Sequence, residues 1–147
     1  MTSIGILPAS LQTALHELVD RVNAGGGGIR VILLSTSEGV PLGRIVGEGG
    51  LEETTLTSLE STWAPAPKQL ALLQRGRIAT VTAMYETTTL LHVYVTPVVV
   101  TIVLEPLSNV GGVKSTALPL LKEILSPLCQ TLLSSLSPNQ GAPEYYQ

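Results

Sequence analysis

Arg77-Ile78-Ala79-Thr80-Val81-Thr82-Ala83-Met84-Tyr85, then Thr89-Leu90-Leu91-His92-Val93-Tyr94-Val95, then Val98-Val99-Val100-Thr101-Ile102-Val103-Leu104 are three runs rich in Val, Ile, Thr and Tyr. That composition suits a pleated surface. Glu86-Thr87 and Thr96-Pro97 punctuate them, and Pro97, which has no N–H to donate, belongs at a strand start or edge. So few residues separate the runs that they must pair as antiparallel neighbours, because a parallel return needs a crossover of a dozen or more residues. The stretch is a meander. Its third strand is apolar on both faces, so both faces of the sheet require cover, most simply by helices.

Thr87 to Leu104 carries no Asp, Glu, Lys or Arg and approaches the length of a membrane span. Pro97 bisects it, however, and threonines and a histidine interrupt it, so two strands explain it better.

Outward from the meander, Leu11, Leu15, Leu18 and Val22 recur at helical spacing, with Ser10 placed to cap the start and Gly25 to end the helix. Gly25 to Gly28 then reads as a flexible connector: a helix enters and a strand leaves, the reverse of a phosphate cradle. Ile29-Arg30-Val31-Ile32-Leu33-Leu34-Ser35 and Val40-Pro41-Leu42-Gly43-Arg44-Ile45-Val46 form a hairpin across Thr36 to Gly39. Leu51, Thr55, Leu56, Leu59 and Trp63 trace a middle helix, which Pro65 and Pro67 interrupt before a short helical piece from Lys68 to Gln74. The last helix is expected to start near Ser115 or Thr116, with Leu118, Leu121, Leu125, Leu128 and Leu132 as its stripe. From Ser137 onward the tail is polar and expected to be disordered. The organisation is one α/β (α+β) domain over residues 1–136 in the order α-β-β-α-β-β-β-α. It has a five-stranded, mainly antiparallel sheet with helices on both faces, followed by the tail 137–147.

The chain of 147 residues is 44% hydrophobic and 13% charged, which implies apolar surface that a partner covers. A net charge of −3 with no Lys/Arg cluster argues against nucleic acid. Cys129 is the single cysteine and lies in an apolar helical pattern, so it reads as a buried small hydrophobe. Residues 1–8 show neither a signal-peptide nor a lipidation pattern, so membrane association is expected only through another chain.

His16 and His92 stand alone, without a second ligand at metal spacing, and no catalytic, cofactor or metal site is expected. Gly111-Gly112-Val113-Lys114-Ser115 sits between a strand and a helix, as a nucleotide loop would. It fails that pattern because Val113 precedes the Lys and Ser108 takes the outer glycine position.

The order of elements resembles that of the roadblock/dynein light chain family, which has a profilin-like fold. The resemblance rests on Val31 to Ser35 followed by Glu38-Gly39-Val40-Pro41, on the meander, and on Leu121-Lys122-Glu123-Ile124-Leu125-Ser126-Pro127-Leu128. Within the family it is strongest to MAP-kinase scaffold subunits of Ragulator complexes, and it covers roughly Ile29 to Leu133.

The resemblance implies a non-enzymatic adaptor without cofactors that heterodimerises with a paralogous roadblock-domain protein. Other Ragulator-like subunits, Rag-type small GTPases and possible MAP-kinase pathway kinases would be its further partners. It would act in TOR-complex and MAP-kinase signalling on the cytoplasmic face of the late endosome or lysosome, held there by a lipidated partner, and otherwise be cytosolic. A homodimeric roadblock regulator of another small GTPase or of dynein is the alternative; a small phosphate-binding α/β enzyme is a more distant one.

The first meander strand would be an edge joined antiparallel to its counterpart in the partner. Its bare, Lys- and Pro-free sequence independently calls for a partner strand. The expected interface is Leu56, Leu59 and Trp63 of the middle helix with Ile78, Ala79, Thr80, Val81, Thr82, Ala83 and Met84 of the edge. On this reading Val81→Lys abolishes dimerisation.

Overall fold

The computed structural model describes residues 2–5, 7–36, 38, 40–47, 55, 58–59, 79–95, 97–106 and 108–136. Strand β1 (Thr2–Gly5) precedes helix α1 (Ala9–Ala24) and the hairpin β2 (Ile29–Thr36) and β3 (Pro41–Val46). The meander β4 (Thr80–Met84), β5 (Thr89–Val95) and β6 (Val98–Leu104) leads into helix α2 (Val110–Leu136). All five expected strands form. Thr2–Gly5 adds a sixth, too short to show an alternating pattern in the sequence, and the sheet order is β1-β3-β2-β6-β5-β4 with every recorded pair antiparallel.

One face of the sheet carries the main core. Ile32, Leu34, Ile45, Leu91, Val93, Val100 and Ile102 point there and are buried against Leu11, Leu15, Leu18 and Val22 of α1 and Val113, Ala117, Leu121, Leu125 and Cys129 of α2. The two helices run antiparallel on this face. Arg21 and Val22 near the end of α1 lie beside Val113 and Thr116 near the start of α2, whereas Leu11 and Ala14 lie beside Ile124 and Leu128. The opposite face has a smaller cluster, Val31, Leu33, Leu90 and Val103, with Leu59 packed against it. Thr55, Ser58 and Leu59 are helical, so the second face also receives helix, as expected.

Several element boundaries differ from expectation. Ser10 is not the cap of α1: Pro8 holds that position, without a side-chain hydrogen bond, and Ser10 lies inside the first turn. Helix α2 starts at Val110 because the Asn109 side chain caps it, its Oδ1 accepting from the Gly112 N–H at 3.0 Å. Gly111 to Ser115, weighed above as a nucleotide loop, is therefore the beginning of a helix. Helix α2 also runs through Pro119 and Pro127.

The glycine run after α1 is a fitted connector. Gly28 adopts φ +73°, and a Cβ there would stand 2.8 Å from Ser108 Oγ; a Cβ on Gly27 would strike Val22. Asn23 completes the corner, its side chain bonding both the N–H and the carbonyl of Ile29 at the start of β2.

Candidate dimerisation edge

β4 closes one end of the sheet, and β5 is its only neighbour among the described residues. The alternation of an antiparallel ladder decides which of its peptide groups face out. Tyr94 N–H donates to Ala79 O at 3.0 Å, and Tyr85 N–H donates to Thr88 O at 2.8 Å. Ala79, Val81, Ala83 and Tyr85 thus spend their backbone groups on β5. Thr80, Thr82 and Met84, opposite Val93, Leu91 and Thr89, point theirs away from the sheet.

The side chains divide the same way. Thr82 and Met84 are exposed on the face that carries α1 and α2, Met84 by 72%, and Thr80 is half-buried there. Val81 and Ala83 are half-buried on the other face, where Ala83 joins the Leu33 and Leu90 cluster. Tyr85, 56% exposed, extends the apolar surface at the end of the strand. A flat strand with open peptide groups and an exposed methionine is an adhesive edge unless another strand covers it.

Of the expected interface residues, Ala79, Thr80, Val81, Thr82, Ala83 and Met84 stand together on this edge. Leu59 lies over the second face. Leu56, Trp63 and Ile78 fall outside the described residues, as do the interrupting prolines and the expected helical piece from Lys68 to Gln74.

A polar row crosses the second face toward the edge: Arg44, Thr101 and His92 follow the register, with Leu33 between the first two and Val81 after the last. His92 is fully buried, its Nδ1 3.0 Å from Thr101 Oγ1, and burial lowers its pKa to about 4. The imidazole is therefore a neutral part of the sheet. Tyr94, on the same face, has a buried hydroxyl without a hydrogen-bond partner among the described residues, and burial raises its pKa. In the sequence His92 stands as an isolated strand histidine; its pairing with Thr101 depends on a register no local signal announces.

Among the described residues no group of three His, Cys, Asp or Glu could hold a metal ion, and no helix is long and apolar enough to cross a membrane.

Residues 9–132 match the model of a family described as mitogen-activated protein kinase kinase 1 interacting. No curated protein gives a significant sequence match. Among solved structures, the gliding protein MglB from Thermus thermophilus superposes with a TM-score of 0.68 at 17% identity, covering 87% of this chain and 96% of that one. Myxococcus xanthus MglB gives 0.63 at 18% identity over 86% and 97% of the two chains. A Roadblock/LC7 domain from Streptomyces avermitilis gives 0.63 at 13% identity over 80% and 96%. At these identities the likeness is one of fold, and that fold is the roadblock fold.

Proposed function

We propose, since this chain belongs to the mitogen-activated protein kinase kinase 1 interacting family of roadblock proteins, that it is a non-enzymatic adaptor whose β4 edge pairs with a second roadblock chain. The carrying observation is the row of outward peptide groups at Thr80, Thr82 and Met84, flanked by exposed Met84 and Tyr85. Antiparallel pairing about Thr82 would set Thr80 opposite the partner's Met84-equivalent position and continue the sheet into the partner. The helix containing Leu59 would lie close to the junction on one face, leaving α1 and α2 free on the other.

The adaptor would belong to a Ragulator-like assembly on the cytoplasmic face of the late endosome or lysosome, where it docks Rag-type small GTPases and MAP-kinase cascade proteins. The family match supports the kinase connection; the resemblance in the hairpin and last helix supports the assembly and its location. A homodimer is the second reading, favoured by the same edge because pairing about Thr82 is self-complementary.

The test is the native mass and composition of the complex that a tagged, full-length chain brings down from its own cells. A stoichiometric second roadblock chain with a lipidated anchor subunit is expected. A homodimer would replace the heterodimer reading, and a monomer would overturn both.

A further inference from the structure

Neither helix of the main core covers the edge strand. α1 lies over β2 and β3, and α2 packs on β5, where the Cys129 thiol is 3.5 Å from the Val95 carbonyl. β4 is one strand further out, and on its helix-side face Thr82 and Met84 are exposed. α2 therefore stands beside an open ledge.

Helical geometry identifies the flank of α2 that borders this ledge. Ile124, Leu128 and Thr131 line the groove against α1. At about 100° per residue, the flank opposite them carries Leu118, Lys122, Ser126 and Leu133. Leu118 is half-buried, whereas Lys122 and Leu133 are exposed, Leu133 by 49%. Met84 and Leu133, two of the most exposed large hydrophobic side chains among the described residues, thus border one ledge.

Pairing at β4 turns the ledge into a trench. Neighbouring strands are about 4.8 Å apart, and packed helices about 8–10 Å apart. With α1 above β2 and β3, α2 then runs about 10 Å from the midline of a sheet continued through β4. The second chain's last helix would stand as far away on the other side, about 20 Å from α2. One helix needs about 8–10 Å to the axis on each side, so this trench takes one helix and no more. A strand gains nothing there, because β5 on one side and the second chain on the other use the peptide groups of β4.

Lys122 sets the charge of the occupant. Its helical neighbours three and four residues away, Leu118, Pro119, Leu125 and Ser126, offer it no carboxylate. A cation on the wall of an otherwise uncharged trench calls for an acid on the incoming chain.

We infer that the trench takes a single amphipathic helix of a third protein. Its apolar stripe meets Met84, Leu118 and Leu133, and its acidic flank meets Lys122. The inference rests on the β4 pairing proposed above and names what the pair of chains would hold. Because the walls come from two chains, the third protein binds the pair and neither chain alone.

The test is photocrosslinking with the full chain in its own cells. p-Benzoylphenylalanine is placed at Leu133 and, in a separate chain, at Ser126, with exposed Thr13 on α1 as the control position. Both α2 positions are expected to join the same segment of a third protein, apolar at helical spacing and acidic beside that stripe, and Thr13 is not. A synthetic peptide of that segment should bind the purified pair of chains, read by fluorescence anisotropy. Lys122→Glu should weaken it at least tenfold, an effect that fades as salt rises. Lysines in place of the peptide's acids should restore binding to the Lys122→Glu pair.

No adduct, adducts confined to the two roadblock chains, adducts with a segment lacking that pattern, or a peptide indifferent to Lys122→Glu would overturn the proposal. Native mass of the same preparations separates the two levels. A dimer without a third chain in the trench rejects the trench alone, whereas a monomer rejects the β4 pairing on which it rests.

Discussion

Thr82→Pro separates the free edge of β4 from its bound edge. The Thr82 N–H points away from β5, so proline at 82 deletes no bond of the chain's own ladder, and edge strands accept proline where the N–H faces outward. The isolated fold should lose about 1 kcal/mol, chiefly because proline fixes φ at a less extended value. A strand paired on the outside, in contrast, loses the Thr82 donor and meets the pyrrolidine ring in its place. One lost hydrogen bond, worth about 1 kcal/mol, and one stranded acceptor, worth about 1–3 kcal/mol, together weaken the dimer by about 2–4 kcal/mol. At about 1.4 kcal/mol per decade, that is a rise in Kd of about 30- to 700-fold, and roughly the square of that in a homodimer, where both strands carry the substitution.

The assay is sedimentation velocity across a dilution series, with urea unfolding to check the fold of each variant. Thr82→Ala keeps the backbone groups and should leave Kd nearly unchanged. Val81→Pro removes the N–H that donates to the His92 carbonyl and should damage the fold itself. If Thr82→Pro folds and its dimer dissociates at the wild-type concentration, β4 is not the pairing edge.

Leu125→Ala, at a side chain with no exposure in the main core, should lower unfolding stability by about 2–5 kcal/mol in urea titration without altering dimer stoichiometry. Acid should destabilise the fold through His92, whose pKa is about 4 when folded and 6.5 in the open chain. Above the higher value both states are neutral and the contribution to stability is complete. As pH falls between the two, the unfolded chain takes up a proton that the folded chain refuses, and about 3 kcal/mol is lost by the time both are protonated. Urea midpoints from pH 7.5 to 4 for wild type, and for His92→Leu combined with Thr101→Val, should differ in slope over this interval; parallel curves would show that His92 does not titrate as its burial requires.

The meander was legible because its punctuation is local. Glu86-Thr87 and Thr96-Pro97 cannot extend a ladder smoothly, so the strand ends fell close to their observed places, and the shortness of the turns fixed the pairing. The helix starts were less legible, since capping is a competition among neighbours. Ser10 has the right side chain, but Pro8 carries the φ and ψ of the cap, and Asn109 starts α2 before two glycines that read as loop. β1 escaped because four residues show no period, and β3 alone gives them a reason to be extended. On the edge, the sequence identified the strand but not its outward residues. That parity follows from one bond, Tyr94 N–H to Ala79 O, and it moves the decisive position from Val81 to Thr82.

The two ends of the sheet are finished differently, and this constrains how an adaptor built on it can work. At one end the edge is β1, only four residues long and paired to β3, and so short a strand offers a second chain few open peptide groups. At the β4 end nothing among the described residues covers the outward peptide groups, and the strand ends on exposed Met84 and Tyr85. Association through the β4 end extends the sheet in its own plane, so it leaves the outer surface of α1 and α2 uncovered. A chain of this design can hold one partner by its edge and meet a second across its helices, without the two competing for the same atoms. Such separation is what bridging requires, and it makes the edge testable apart from the helices: Thr82→Pro should weaken pairing at β4 and leave the helical face intact.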